Sequence, residues 1–136
     1  QDYEFKIGRG VVVREGSDVT IIACGLMVAE ALEAAEALAA DGIDAEVINM
    51  HTIKPLDERL VVASAKKTGR VVTAEEHSII GGLGEAVASV LAEQYPVPMR
   101  RVGVRDVYGE SGPAVDLLHK YDLDADGIEA AVRSVL

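Results

Sequence analysis

Three groups of residues in this sequence could do chemistry. The first is Glu75-Glu76-His77 followed by Gly81, Gly82 and Gly84, two carboxylates and an imidazole running into a glycine turn. A histidine beside glutamates could donate a proton, and a glycine turn that opens a helix could hold an anion on free N–H groups at the positive end of the dipole. The structural alternatives are a His77 satisfied by a polar contact at a strand end, and glycines that allow close backbone approach or supply positive φ. The second group is Arg100, Arg101 and Arg105, which could grip a carboxylate or phosphate bidentately or simply mark an edge strand. The third is His51 with Lys54, a pair that could touch a ligand from a loop or stay solvated. Gly82-Leu83-Gly84-Glu85-Ala86-Val87 resembles a dinucleotide fingerprint only superficially, because the third glycine is absent and the turn stands away from the strand.

These residues need a scaffold, and the hydrophobic pattern supplies one. Val71-Val72-Thr73 is a buried strand that should end at Glu75-Glu76-His77, and the residues from Glu85 to Leu91 form the helix after the glycine turn. Upstream, residues 10–14 and 19–24 are two β-rich runs joined by Glu15-Gly16-Ser17-Asp18, which suits an antiparallel hairpin. Val28, Ala31, Leu32, Ala35 and Leu38 repeat at helical spacing and close at Asp41-Gly42. Residues 45–50 form the next strand of a right-handed βαβ unit, and Asp57 caps a helix running through Lys66-Lys67 to Gly69. Pro96 and Pro98 precede a last strand at 99–104, Pro113 leads into a helix over 114–121, and Asp126 with Glu129 forms a capping box for a closing helix at 128–135. The expected fold is a three-layer α/β/α domain with a five-stranded, mostly parallel sheet whose first strand is antiparallel.

Composition narrows the function. The 136 residues suit one domain, and 49% apolar content excludes a disordered acidic tail. A net charge of −10 repels phosphate backbones and anionic lipid, so neither nucleic acid nor membrane is an expected partner. The single cysteine, Cys24, cannot form an internal disulfide and reads as a structural thiol in a reducing, cytoplasmic setting. Residues 1–9 read as a linker from a missing preceding domain, with the domain proper at 10–136. Gly-x-Ser-x-Gly, P-loop, paired-cysteine, His-Glu-x-x-His and Gly-Asp-Gly motifs are absent, so this stretch lacks a self-contained active site.

Residues 16–25, GSDVTIIACG, then Thr52-Ile53-Lys54-Pro55-Leu56-Asp57, then Glu75-Glu76-His77 with Gly81-Gly82-Leu83-Gly84 resemble in order and spacing the C-terminal domain of transketolase-type thiamine diphosphate enzymes. Transketolase, 1-deoxyxylulose-5-phosphate synthase and the β subunit of 2-oxo acid dehydrogenase decarboxylases share versions of these motifs. Residues 103–112, GVRDVYGESG, look most like a transketolase, especially the kind split into two chains. The resemblance implies a parent enzyme that moves a two-carbon ketol unit between ketose and aldose phosphates, with thiamine diphosphate and magnesium or another divalent metal. It implies that this domain binds neither cofactor nor metal, is inactive alone and supplies no catalytic residue, His77 being the one candidate. Its implied partners are a preceding pyrimidine-binding domain, an N-terminal diphosphate-binding section or subunit, and a second copy in a homodimeric parent. Gly81, Gly82 and Gly84 are then the candidate interface; an independent anion-binding module using Arg100, Arg101 and Arg105 is the alternative of another class.

Overall fold

The structure, a computed structural model, describes residues 8–78, 82–104 and 124–136. The strands are β1 (Val11–Arg14), β2 (Val19–Ala23), β3 (Ala45–Asn49), β4 (Val71–Ser78) and β5 (Met99–Val104). The described helices are α1 (Met27–Ala40), α2 (Glu58–Thr68), α3 (Leu83–Gln94) and α4 (Ala125–Val135). The sheet order is β1-β3-β2-β4-β5, with β1 antiparallel to β3 and every other pair parallel. This is the expected three-layer α/β/α fold. The expected helix at 114–121 lies outside the described residues.

Strand alternation builds one core on each face of the sheet. Ile21, Ala23, Val47, Val72 and Ala74 meet Ala31, Ala35 and Leu38 of α1 and Ile128 and Val132 of α4. On the other face Ile22, Ile48 and Val71 meet Val61 and Ala65 of α2 and Leu83, Val87 and Leu91 of α3. The alanines of α1 allow the helix to lie close on the sheet. Its C-terminus closes as expected, with Gly42 at φ +81° and Ile43 N–H donating back to Leu38 O at 3.0 Å. Asp57 accepts from Leu60 N–H at 3.2 Å to start α2, and Gly69 at φ +77° ends it.

The expected hairpin between residues 10–14 and 19–24 does not form, because β3 lies between the two strands. All five residues of β2 are buried, so this strand needs a ladder on both edges and takes one from β3 and one from β4. The half-exposed β1 suits an edge. Residues 15–18 cross the start of β3 instead of turning back: Ser17 and Asp18 N–H both donate to Asp44 O, at 3.2 and 2.8 Å. A Cβ on Gly16 would fall within 2.5 Å of Ala45 O and Glu46 N.

Two boundaries also move. α4 starts at Ala125 rather than 128, and its N-cap is Asp124, whose Oδ1 accepts from Gly127 N–H at 3.1 Å. The expected capping box of Asp126 and Glu129 is therefore displaced, and Glu129 pairs instead with Arg133 at 3.0 Å. β4 runs on through Glu75, Glu76 and His77 to Ser78, where the charged residues were expected to end it.

Candidate functional site

In an open α/β sheet the carboxyl ends of the strands and the helix N-termini that follow them form the ligand edge. Along this edge lie Cys24-Gly25-Leu26 after β2, His51 to Asp57 after β3, residues 75–78 of β4 and the start of α3. A bulge shapes β4 here, since Ala74 pairs with Val102 but Ser78 with Val104, so residues 75–77 stand opposite Gly103 alone.

The adjacent glutamates point to opposite faces, as strand neighbours do. Glu75 is buried, 1% exposed, and its two carboxylate oxygens accept from Leu83 and Gly84 N–H at 2.8 and 2.7 Å. These are the donors a helix N-terminus offers an anion, and the helix dipole strengthens both bonds. Glu76 is half-buried, and its Oε1 accepts from Leu26 N–H at 3.4 Å at the start of α1. One pair of neighbouring residues thus caps two helices in two different layers. Pattern reasoning treats a charged pair as a strand end; the buried carboxylate becomes legible only through its partner eight residues on in α3.

The glycines divide by cause. Gly82 is the N-cap of α3 with φ −99°, so positive φ is not its reason. Gly84 serves close approach: a Cβ there would lie 2.8 Å from Arg101 Cδ and 2.9 Å from Thr73 Oγ1. Gly81 and Arg105 lie outside the described residues. The structure therefore brings Gly84 and Arg101 together. Arg100, one residue away on β5, faces the other side of the sheet and donates to Met99 O at 3.0 Å. Both arginines are exposed and β5 is an edge strand, as their sequence context suggested. His77 belongs to β4, His51 is half-buried after β3, and Lys54 is exposed. Burial pushes the Cys24 thiol up to about 11, with Glu75 and Glu76 adding to the effect, so it stays protonated at neutral pH.

A second polar group went unread in the sequence. At the amino ends of the strands, Thr20 Oγ1 lies 2.6 Å from Ser64 Oγ and 2.8 Å from Thr68 Oγ1, and all three residues are buried. Ser64 Oγ donates to Glu46 Oε2 at 2.7 Å, and Lys67 pairs with the same carboxylate. The available signal was Ser64 and Thr68, one turn apart on α2. Thr20 and Glu46 face them from adjacent strands.

Comparison with known proteins gives this geometry a family. Residues 8–128 match the model of the transketolase C-terminal domain. The chain is 58% identical over 132 residues to the 6-deoxy-6-sulfo-D-fructose transketolase subunit SqwH of Clostridium sp. (strain MSTE9), covering 97% of this chain and 41% of that protein. It is 44% identical to the 1-deoxy-D-xylulose-5-phosphate synthase of Heliobacterium modesticaldum, covering 95% of this chain and 20% of the relative. A solved structure described as a split gene transketolase, inactive beta4 tetramer, superposes with a TM-score of 0.94 at 57% identity, over 98% of this chain and 44% of that one. The chain thus spans less than half the length of these relatives, and it belongs to the transketolase C-terminal domain family.

Proposed function

We propose that this chain is the C-terminal domain of a split transketolase and serves interdomain and subunit assembly. The parent transfers a two-carbon ketol unit between ketose and aldose phosphates. Thiamine diphosphate supplies the carbanion chemistry there, and the sections preceding this domain hold the cofactor and its divalent metal. One observation supports the noncatalytic reading: the N–H groups of Leu83 and Gly84, donors of the kind a helix N-terminus offers an anion, are both taken by Glu75. The described residues do not fit that cofactor. Among them, no three His, Cys, Asp or Glu side chains gather where they could share a metal ion.

A relative 58% identical to this chain is named for a sulfosugar, so donor choice belongs in the test. Ketol transfer is assayed with thiamine diphosphate and magnesium, ribose 5-phosphate as acceptor, and either xylulose 5-phosphate or 6-deoxy-6-sulfofructose as donor. The chain alone, and the parent assembly with its partner section, are run side by side. Activity in the assembly only is expected; activity of the chain alone overturns the assembly role. Several relatives are 1-deoxyxylulose-5-phosphate synthases, which supports one second reading. Formation of 1-deoxyxylulose 5-phosphate by the same assembly, without ketol transfer, would establish it.

A further inference from the structure

We infer that the Asp41–Gly42 bond is a site of spontaneous isoaspartate formation, and that Arg133 slows it from across the contact between α1 and α4. Aspartate followed by glycine is the pair whose side-chain carboxyl the next backbone nitrogen reaches with least hindrance, because glycine has no Cβ to obstruct the approach. The sequence holds two such pairs, Asp41-Gly42 and Asp126-Gly127, and the structure separates them. Asp41 is the exposed C-cap of α1, and Gly42 follows at φ +81°. Among the described residues, nothing beyond its chain neighbours lies within 4 Å of where a Gly42 Cβ would stand. Asp126 lies within α4, where Gly127 N–H donates to Asp124 Oδ1 at 3.1 Å and the nearby Ala125 and Ile128 are buried in the core. The first pair has room for a five-membered ring; the second is held by helix on both sides.

The chemistry needs no co-reactant. Gly42 N attacks Asp41 Cγ to form a C–N bond, and one carboxyl oxygen leaves as water with the amide proton and the proton of the acid. Water then adds to the main-chain carbonyl of the ring and breaks its bond to nitrogen. The chain now runs through the side chain, and the water lost in the first step has been returned. In the closed fold Gly42 N–H donates to Ala39 O at 3.0 Å and Ile43 N–H to Leu38 O at 3.0 Å, which turns the nitrogen away from its own Cγ. The reaction therefore passes through opening of the last turn of α1, where a helix frays first. Arg133 opposes that opening, since its Nη2 pairs with Asp41 Oδ2 while also meeting Glu129 Oε2 at 3.0 Å. Both partners are partly exposed, at 41% and 58%, so a pair of this kind slows the opening about two- to fivefold. An isoaspartate adds a methylene to the main chain, so the two closing bonds of α1 and the pairing with Arg133 no longer fit together.

The test incubates the parent polypeptide, unsubstituted and as Arg133→Gln, for several weeks at neutral pH and body temperature in heavy-oxygen water. Peptide mapping then separates isoaspartyl from aspartyl peptides, and mass spectrometry counts the solvent oxygen that ring opening inserts. Isoaspartate carrying one labelled oxygen is expected at Asp41, forming about tenfold faster than at Asp126, because the rate follows local opening. In Arg133→Gln the rate at Asp41 is expected to rise about two- to fivefold while that at Asp126 stays unchanged. Peptides from the chain held unfolded in urea supply the reference, in which both pairs react alike. A folded chain that forms no isoaspartate at Asp41 while the unfolded chain does, or that reacts equally at the two pairs, overturns the site. An unchanged rate in Arg133→Gln overturns the part given to Arg133.

Discussion

Replacing Glu75 by glutamine keeps the shape of the side chain and removes its charge. In the native protein both carboxylate oxygens accept from the start of α3, at 2.8 and 2.7 Å, and the residue is 1% exposed. A glutamine amide can accept one of these bonds with its oxygen, but it then turns an NH2 toward the second N–H. The loss is one charge-assisted hydrogen bond, about 1.5–3 kcal/mol, with about 1 kcal/mol more from the helix dipole. A neutral amide is cheaper to bury than a carboxylate, which returns part of this. The net expectation is a destabilisation of about 2–3 kcal/mol, a fall in Tm of about 8 °C for a domain of this size. Glu76→Gln is the control, because its group is half-buried and makes a single 3.4 Å bond; it should cost under about 0.5 kcal/mol. Urea unfolding of the two variants, compared at constant m, measures both. Equal midpoints, or a Glu75→Gln cost below about 1 kcal/mol, would refute the claim that the buried carboxylate holds α3 in place.

Three further outcomes are expected. Gly16→Ala should cost about 3 kcal/mol or more, since its Cβ would meet the backbone of Ala45 and Glu46, whereas Gly42→Ala, strained only by φ +81° in open space, should cost about 1 kcal/mol; denaturant midpoints that rank the two the other way would show the Gly16 crossing to be loose. Thr73 is fully buried and its Oγ1 finds no hydrogen-bond partner among the described residues, so Thr73→Val should raise stability by about 1 kcal/mol, and a lower Tm would reveal an unseen partner. With its thiol pushed up from 9.0 to about 11, Cys24 should react with iodoacetamide at pH 8 about a hundredfold more slowly than an ordinary thiol. Because the native state favours the protonated thiol, its contribution to stability is whole below pH 9 and falls away as pH rises toward 11; alkylation rates that level off near pH 9 would contradict the shift.

Local signals carried much of the fold. Period and punctuation were enough for α1 with its Asp41-Gly42 stop and for α2 between Asp57 and Gly69, because each depends on contacts within a few residues. They failed where a distant residue decided the outcome. A polar four-residue link looks the same whether it turns a hairpin or crosses another strand, and the full burial of β2 is what excludes the hairpin. Asp124 and Asp126 are both good caps, and helix register chose the first. The candidate site was legible in place but not in role, since Glu75 pairs with donors that exist only once α3 has formed.

The acidic composition acquires a structural meaning from these contacts. Each of the four described helices starts at the carboxyl edge of the sheet, and at each start a carboxylate meets a free N–H. Glu76 serves α1, Asp57 serves α2, Glu75 serves α3, and Glu30 reaches Ala125 N–H at 2.9 Å in α4, alongside its own cap Asp124. An open α/β sheet usually keeps some of these donors for the anionic part of a ligand. Here three of the four described helices take a carboxylate from another element of the chain, so these helix starts are closed from within by side chains that also tie one layer to the next.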